Sequence, residues 1–112
     1  MKIFNGVYCA HGEVNIFAID EIPDGIAAAP VDSAGRPIIG HSETGALHVI
    51  EGSAIRVVEQ DAFTSYVECR EPAKVIHLRG FDTHEPLTLP PGKYRVSRQR
   101  EYVPEGFRRA AD

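Results

Sequence analysis

The stretch GHSETGALHVIEG, Gly40 to Gly52, places His41, Glu43 and His48 close together in the chain. Imidazole nitrogens and carboxylate oxygens are common protein ligands of divalent transition metals. Two histidines and one carboxylate leave a coordination position open for water or substrate. His41 and Glu43 are two residues apart, so on a strand their side chains leave the same face. Thr44 and Gly45 can turn the chain, and His48 then returns on the next strand, where a cross-strand neighbour lies about 4.5–5.5 Å away. The segment DTHEPLTLP adds a further donor at His84 or Glu85. The expected set is His41, Glu43, His48 and His84 around a divalent metal such as zinc, iron or manganese. In a catalytic role that metal would activate water or polarise a substrate oxygen.

Two other readings of the stretch stay open. One is a pocket for a small organic ligand. The other is a plain hairpin whose histidine and glutamate pair with each other or lie at the surface. HxE with a third donor five residues later is not an established metal signature, and whether the chain is an enzyme is left open. His77, in VIHLRG, reads as a strand residue rather than a ligand. His11, beside Gly12, reads as solvated. Cys9 and Cys69 form no CxxC pair and read as free, half-buried thiols, so the usual thiolate zinc site is not expected. Ser42 lacks the flanking residues of a nucleophile elbow, and no phosphate-loop or dinucleotide-binding glycine pattern occurs.

The elements that must position these groups follow a period of two. In EVNIFAID, Val14, Ile16 and Ala18 share one face, and Phe17 and Ile19 the other, which predicts a strand buried on both sides. RPIIGHSE begins a second core strand. ALHVIEG and AIRVVEQ, separated by Glu51 to Ser53, read as a hairpin. FTSYVECR, AKVIHLRG and KYRVSRQREY are further strands. Turn signals at PDG, SAGRP, EGS, REP and PPGK recur at the spacing of an all-β fold. The expected architecture is one domain over residues 1–112, a small β-barrel or sandwich, loosely cupin-like. Residues 21–37 form a long loop with a helical turn near Gly25 to Ala29. Residues 101–112, opening on Pro104 and Glu105, are a short C-terminal helix or tail.

At 112 residues the chain can bury a core without disulfides or metal. Its longest apolar run, IAAAPV, is far short of the ~20 residues a membrane span needs. MKIFNGVYCAHGE lacks the long apolar core of a signal peptide, so the default location is cytoplasmic. Net charge is −4, but residues 93–112 carry six basic and three acidic groups, a net +3, against −7 for the first 92. Tyr94 and Tyr102 interleave with Arg95, Arg98 and Arg100, the composition of a base-stacking surface. The net negative charge and the lack of an RNA-binding motif argue against nucleic acid. The arginines fit better as the solvent face of a strand, or as a tail that docks on the acidic remainder of its own or a neighbouring chain. Self-association through the C-terminal strand and tail is the expected partnership.

Three segments together carry a resemblance: GEVNIFAIDEIP, GHSETGALHVIEG and LPPGKYRVSRQREYVPEGFRRAAD. They resemble a group of small uncharacterised proteins of bacterial genomes, phages and prophages, with a pattern GHxETGxxHVI followed by LPPGxYxVxRQREYxPE. The resemblance implies that His41, Glu43 and His48 belong to a histidine-rich site, with His84 and Glu85 as a second cluster. Ala46 or Leu47 stands where that group often has another histidine. No reaction follows from the resemblance.

Overall fold

The computed structural model describes residues 2–11, 14–41, 47–78 and 85–98, with the backbone alone at His41. These residues form ten strands and no helix. The strands are β1 (Lys2–Ile3), β2 (Tyr8–His11), β3 (Val14–Ile19), β4 (Ile38–His41), β5 (Leu47–Glu51), β6 (Ile55–Asp61), β7 (Thr64–Cys69), β8 (Ala73–Leu78), β9 (Leu87–Leu89) and β10 (Gly92–Arg98). They divide into two five-stranded sheets, ordered β1-β9-β8-β5-β4 and β2-β3-β10-β7-β6. The all-β expectation holds. The two sheets keep separate edges and do not close into a barrel among the described residues. The helix or tail expected at residues 101–112 lies outside them.

The core lies between the sheets. Ile16 and Val14 of β3, Tyr94 and Val96 of β10 and Val67 of β7 meet Ile50, Val75, Leu87 and Leu89 of the other sheet in one buried cluster. Each such aliphatic side chain contributes about 1.5–3 kcal/mol by leaving water. Alternation decides which residues take part. In β10 the buried positions are Tyr94 and Val96, while Lys93, Arg95 and Ser97 face the other way. β3 follows the same rule, which corrects the expectation of burial on both sides. Val14 and Ile16 are sealed, whereas Phe17 is only half-buried. Its ring is covered by Tyr8 at 5.0 Å and by the Arg95 guanidinium at 4.8 Å.

Connectivity differs from the expected pattern in three places. First, β5 and β6 are not a hairpin. β5 pairs with β4 and β8, and β6 pairs with β7, so Gly52 to Ala54 carry the chain from one sheet to the other. The passage is tight: a Cβ on Gly52 would stand 3.0 Å from both Ala73 Cβ and Ile55 Cγ2. A short connection predicts a hairpin only when both strands belong to one sheet.

Second, residues 20–37 contain no helical turn. Ala28 bridges Val58 of β6, and the Ala29 and Glu59 amides donate to the Val57 and Ala27 carbonyls. The Ile38 amide then donates to Pro30, so the same loop reaches the start of β4 in the other sheet. Its tip is organised by Asp32. The carboxylate accepts the Ala34 and Arg36 amides and the Arg36 guanidinium, which also bonds Glu51 at 3.0 Å.

Third, β10 sits in the centre of its sheet with β3 on one side and β7 on the other. Both of its edges are occupied within the chain, so self-association has no free hydrogen-bonding edge on that strand. Residues 99–112 lie outside the described ones. No helix of the described residues is long and apolar enough to cross a membrane.

A corner precedes β10. The Tyr94 hydroxyl donates to the Pro90 carbonyl at 2.6 Å, and the ring meets Phe4 edge-on at 5.1 Å. The Cys69 thiol also donates to Pro90, at 3.4 Å. Burial, then the neighbouring Cys69, pushes the Tyr94 phenol up to about 12, so it remains a donor at ordinary pH. Stability drawn from this neutral phenol is complete below its unfolded value near 10 and falls as pH rises toward 12. Removing the hydroxyl in Tyr94→Phe is expected to cost about 1 kcal/mol by denaturant titration at pH 7.

Asp32 runs the other way. The Arg36 amide, outweighing the opposing effect of burial and joined by the Arg36 side chain and the Ala34 amide, holds its carboxyl below the usual value. Its stabilisation is complete above the ordinary carboxylate range and is lost as pH falls through the lowered folded value. Asp32→Asn should therefore lower the melting temperature at pH 7 and make little difference in strong acid.

Candidate functional site

Antiparallel pairing fixes where the histidines stand. β2 with β3, β4 with β5, β6 with β7 and β8 with β9 are paired neighbours, and all four connections leave the same end of the molecule. His11 is the last residue of β2, His41 the last of β4, His48 the second of β5 and His77 the last but one of β8. Strand parity turns three of them inward. His11 has the parity of Cys9, His48 that of Ile50, and His77 that of Val75.

The imidazoles meet between the sheets. His48 is directly opposite His77 across the β5–β8 ladder, and their rings stack at 4.1 Å with 9° between planes. His11 comes from the other sheet and meets the His48 ring edge-on, at 5.5 Å and 78°. His48 is 1% exposed and His11 3%. His11 Nδ1, His48 Nε2 and both ring nitrogens of His77 are closed off from solvent. His11 Nε2 lies 3.0 Å from the carbonyl oxygen of Glu85, which ties the end of β2 to the segment entering β9. The expectation that His11 is solvated is thereby corrected. It occupies a core-face position next to Val14, its partner in the β2–β3 ladder.

Gly40 lies beside His48 at the point where β4 meets β3. The register shifts between Ile38 and Gly40, so His48 stands opposite Gly40, and His41 opposite Leu47. A Cβ on Gly40 would lie 2.7 Å from Val14 Cγ1 and 3.7 Å from His48 Cβ. Glycine is what allows β3 to pack on β4 here, through the close approach to Val14. The shift also decides the fate of the four expected metal ligands. His48 is placed in the buried row, and His41 ends the neighbouring strand one register position away. Glu43 and His84 lie outside the described residues.

His11 and His77 are the partners that spacing along the chain did not single out, because they arrive from β2 and β8. Their signal was parity. CAH and VIH each put a histidine two residues after a buried or half-buried apolar one. Sequence proximity alone favours His41 instead.

Stacked, nearly parallel rings hold their in-plane lone pairs in two parallel planes about 4 Å apart, not in one plane converging on a single point. Among the described residues no group of three or more His, Cys, Asp or Glu side chains is arranged to hold a metal ion. Coordination through His48 and His77 would need at least one ring to turn, or donors from the adjoining connections. Cys9 and Cys69 are free thiols and belong to no such group. Cys69 belongs to the Tyr94 corner, where burial raises its thiol above the usual value. Arg95 and Arg98 lie over Phe17 and Phe63, and Tyr94, a candidate base-stacking residue, is in the core at 4% exposure. Tyr102 and Arg100 lie outside the described residues.

The packing at Gly40 is testable. Gly40→Ala should destabilise the protein by about 1–3 kcal/mol through overpacking against Val14. In a Val14→Ala background its cost should fall, a coupling that a double-mutant cycle measures.

Comparison with the curated proteins found no match, and comparison with the solved structures found none. The match that exists is to a family of domains of unknown function, DUF8820, over residues 10–99. That span runs from the end of β2 through β10 and contains His11, His41, His48, His77 and His84, so the chain, histidine row included, belongs to the DUF8820 family.

Proposed function

We propose that the histidine end of the molecule binds a divalent transition metal such as zinc. The supporting observation is the contact of buried His48 with buried His11 and half-buried His77, drawn from both sheets into one row. Aromatic or aliphatic residues would fill the same space without any polar nitrogen to accommodate, so the choice of imidazole calls for a chemical reason. Two connections that leave this end carry Glu43 and His84 in the sequence, and His41 ends β4 beside it. In this reading His48 and His77 are the central ligands. His11 fixes the pair from the opposite sheet, and His41, Glu43 and His84 complete the coordination. A metal bound there supplies Lewis acidity. The family assignment gives no reaction to attach to it.

Ligation requires neutral imidazole, so binding weakens as pH falls through about 6.5. The test uses purified, untagged protein. Metal content is measured first, then the melting temperature with zinc, nickel and manganese at pH 7.5 and 5.5. A metal at ~100 times its Kd should stabilise by about 2.7 kcal/mol. The stabilisation should be largely lost at pH 5.5 and absent in His48→Ala and His77→Ala. Protein that carries no metal and shows no thermal response to any of the three ions would rule the proposal out.

A second reading is a non-catalytic interaction module of phage or prophage origin. It draws on the resemblance carried by the LPPGKYRVSRQREY segment and on the open edge of β2. A gene neighbourhood lacking phage structural genes would count against the phage part.

A further inference from the structure

Sheet edges are where one chain adds a strand to another, and folded proteins usually guard them. The two sheets end in β1, β4, β2 and β6. β1 has two residues, one of them Lys2. The β6 edge is bonded to residues 27–29 of the long loop, and the start of β4 is bonded to Pro30. β2 has none of these protections among the described residues. Its sequence YCAH contains no lysine or proline, and its register with β3 runs without a bulge.

The hydrogen-bonding parity of β2 follows from one bond. The Ala18 amide donates to the Val7 carbonyl at 3.0 Å. Hydrogen-bonded pairs alternate along an antiparallel ladder, so Val7, Cys9 and His11 direct their backbone groups to β3. Tyr8 and Ala10 therefore direct theirs outward, where the Ala10 carbonyl also accepts the adjacent Cys9 thiol at 3.4 Å, which leaves its second lone pair for a partner strand. Tyr8 is 48% exposed, Val7 is 74% exposed, and Ala10 is exposed as well.

We infer that the β2 edge docks a second copy of the chain, antiparallel, about a twofold axis at Cys9. In this register Tyr8 exchanges both backbone hydrogen bonds with Ala10 of the second copy, and Ala10 does the same with Tyr8. Every outward group of the strand between them is used. A register centred on Tyr8 would instead need Gly6, which turns the chain at φ +82° and is not extended. Tyr8, Cys9 and Ala10 carry no charge, so the strand meets its own copy without like-charge repulsion. The pairing joins the β2-β3-β10-β7-β6 sheets of both copies into one sheet and covers the apolar surface of Val7 and Tyr8. It also brings Cys9 opposite its twin as a non-hydrogen-bonded pair. The Cα separation there is about 4.5 Å, within the ~4.4–6.8 Å range of disulfides.

The experiment uses the full-length chain in light scattering, followed by diamide, which takes up the two electrons and two protons released when two thiols join. The expected mass is about twice that of one chain. Diamide should give a linked dimer on a non-reducing gel, retained in Cys69→Ser and absent in Cys9→Ser. Ala10→Pro removes an outward N–H that the β2–β3 ladder does not use. It should weaken the dimer about tenfold or more while leaving the melting temperature of the dilute protein nearly unchanged. A monomer at every concentration up to millimolar would overturn the inference. So would a dimer indifferent to Ala10→Pro, or a link that forms through Cys69. A monomer whose Ala10 amide is protected from hydrogen exchange would place another segment of the same chain on the edge, and would overturn it equally.

Discussion

Antiparallel pairing returns the chain to the end it left, and in this protein each paired excursion is followed by a step to the other sheet. β2 and β3 lie in one sheet, β4 and β5 in the other, β6 and β7 in the first again, and β8 and β9 in the second. The steps between sheets therefore gather at one end and the paired connections at the other. The two ends become different in kind. One is made of corners under geometric demand: Gly52 against Ala73, Tyr94 on Pro90, Asp32 holding the loop tip. The other receives the histidines. β10 closes the arrangement, because it fills the gap between β3 and β7 and supplies Tyr94 and Val96 to the core.

A row of imidazoles is an unusual filling for the space between two sheets. Beside the stacked pair, Gly40 brings β4 close against Val14. A glycine, a register shift and three histidines from three strands thus form one unit. None of its parts has the same value alone.

Much of the fold was legible because strand periodicity is a local signal. β3, β4, β7, β8 and β10 all fall where alternating apolar residues place them. Sheet membership was not legible in the same way. EGS between β5 and β6 has hairpin chemistry, but the strands on either side bury their faces against opposite partners, and only the assembled core decides that. Of the candidate residues, His48 lies in the buried row, and its direct neighbours His77 and Gly40 come from other strands, through a register shift that no spacing rule records. His11 was misread because its neighbour Gly12 and its nearness to the terminus outweighed its parity with Cys9. Proximity in the chain favoured a local HxE pair, whereas the sandwich brings together residues as distant as His11 and His77.

The loop of residues 20–37 has a consequence for how the molecule comes apart. It shares backbone hydrogen bonds with β6 in one sheet and β4 in the other, and its tip is tied to β5 through Arg36 and Glu51. Neither sheet can peel away along that side without breaking bonds that also hold the loop to its counterpart. Opening on that side must therefore break bonds to both sheets together, so the loop couples the local stability of β4, β5 and β6.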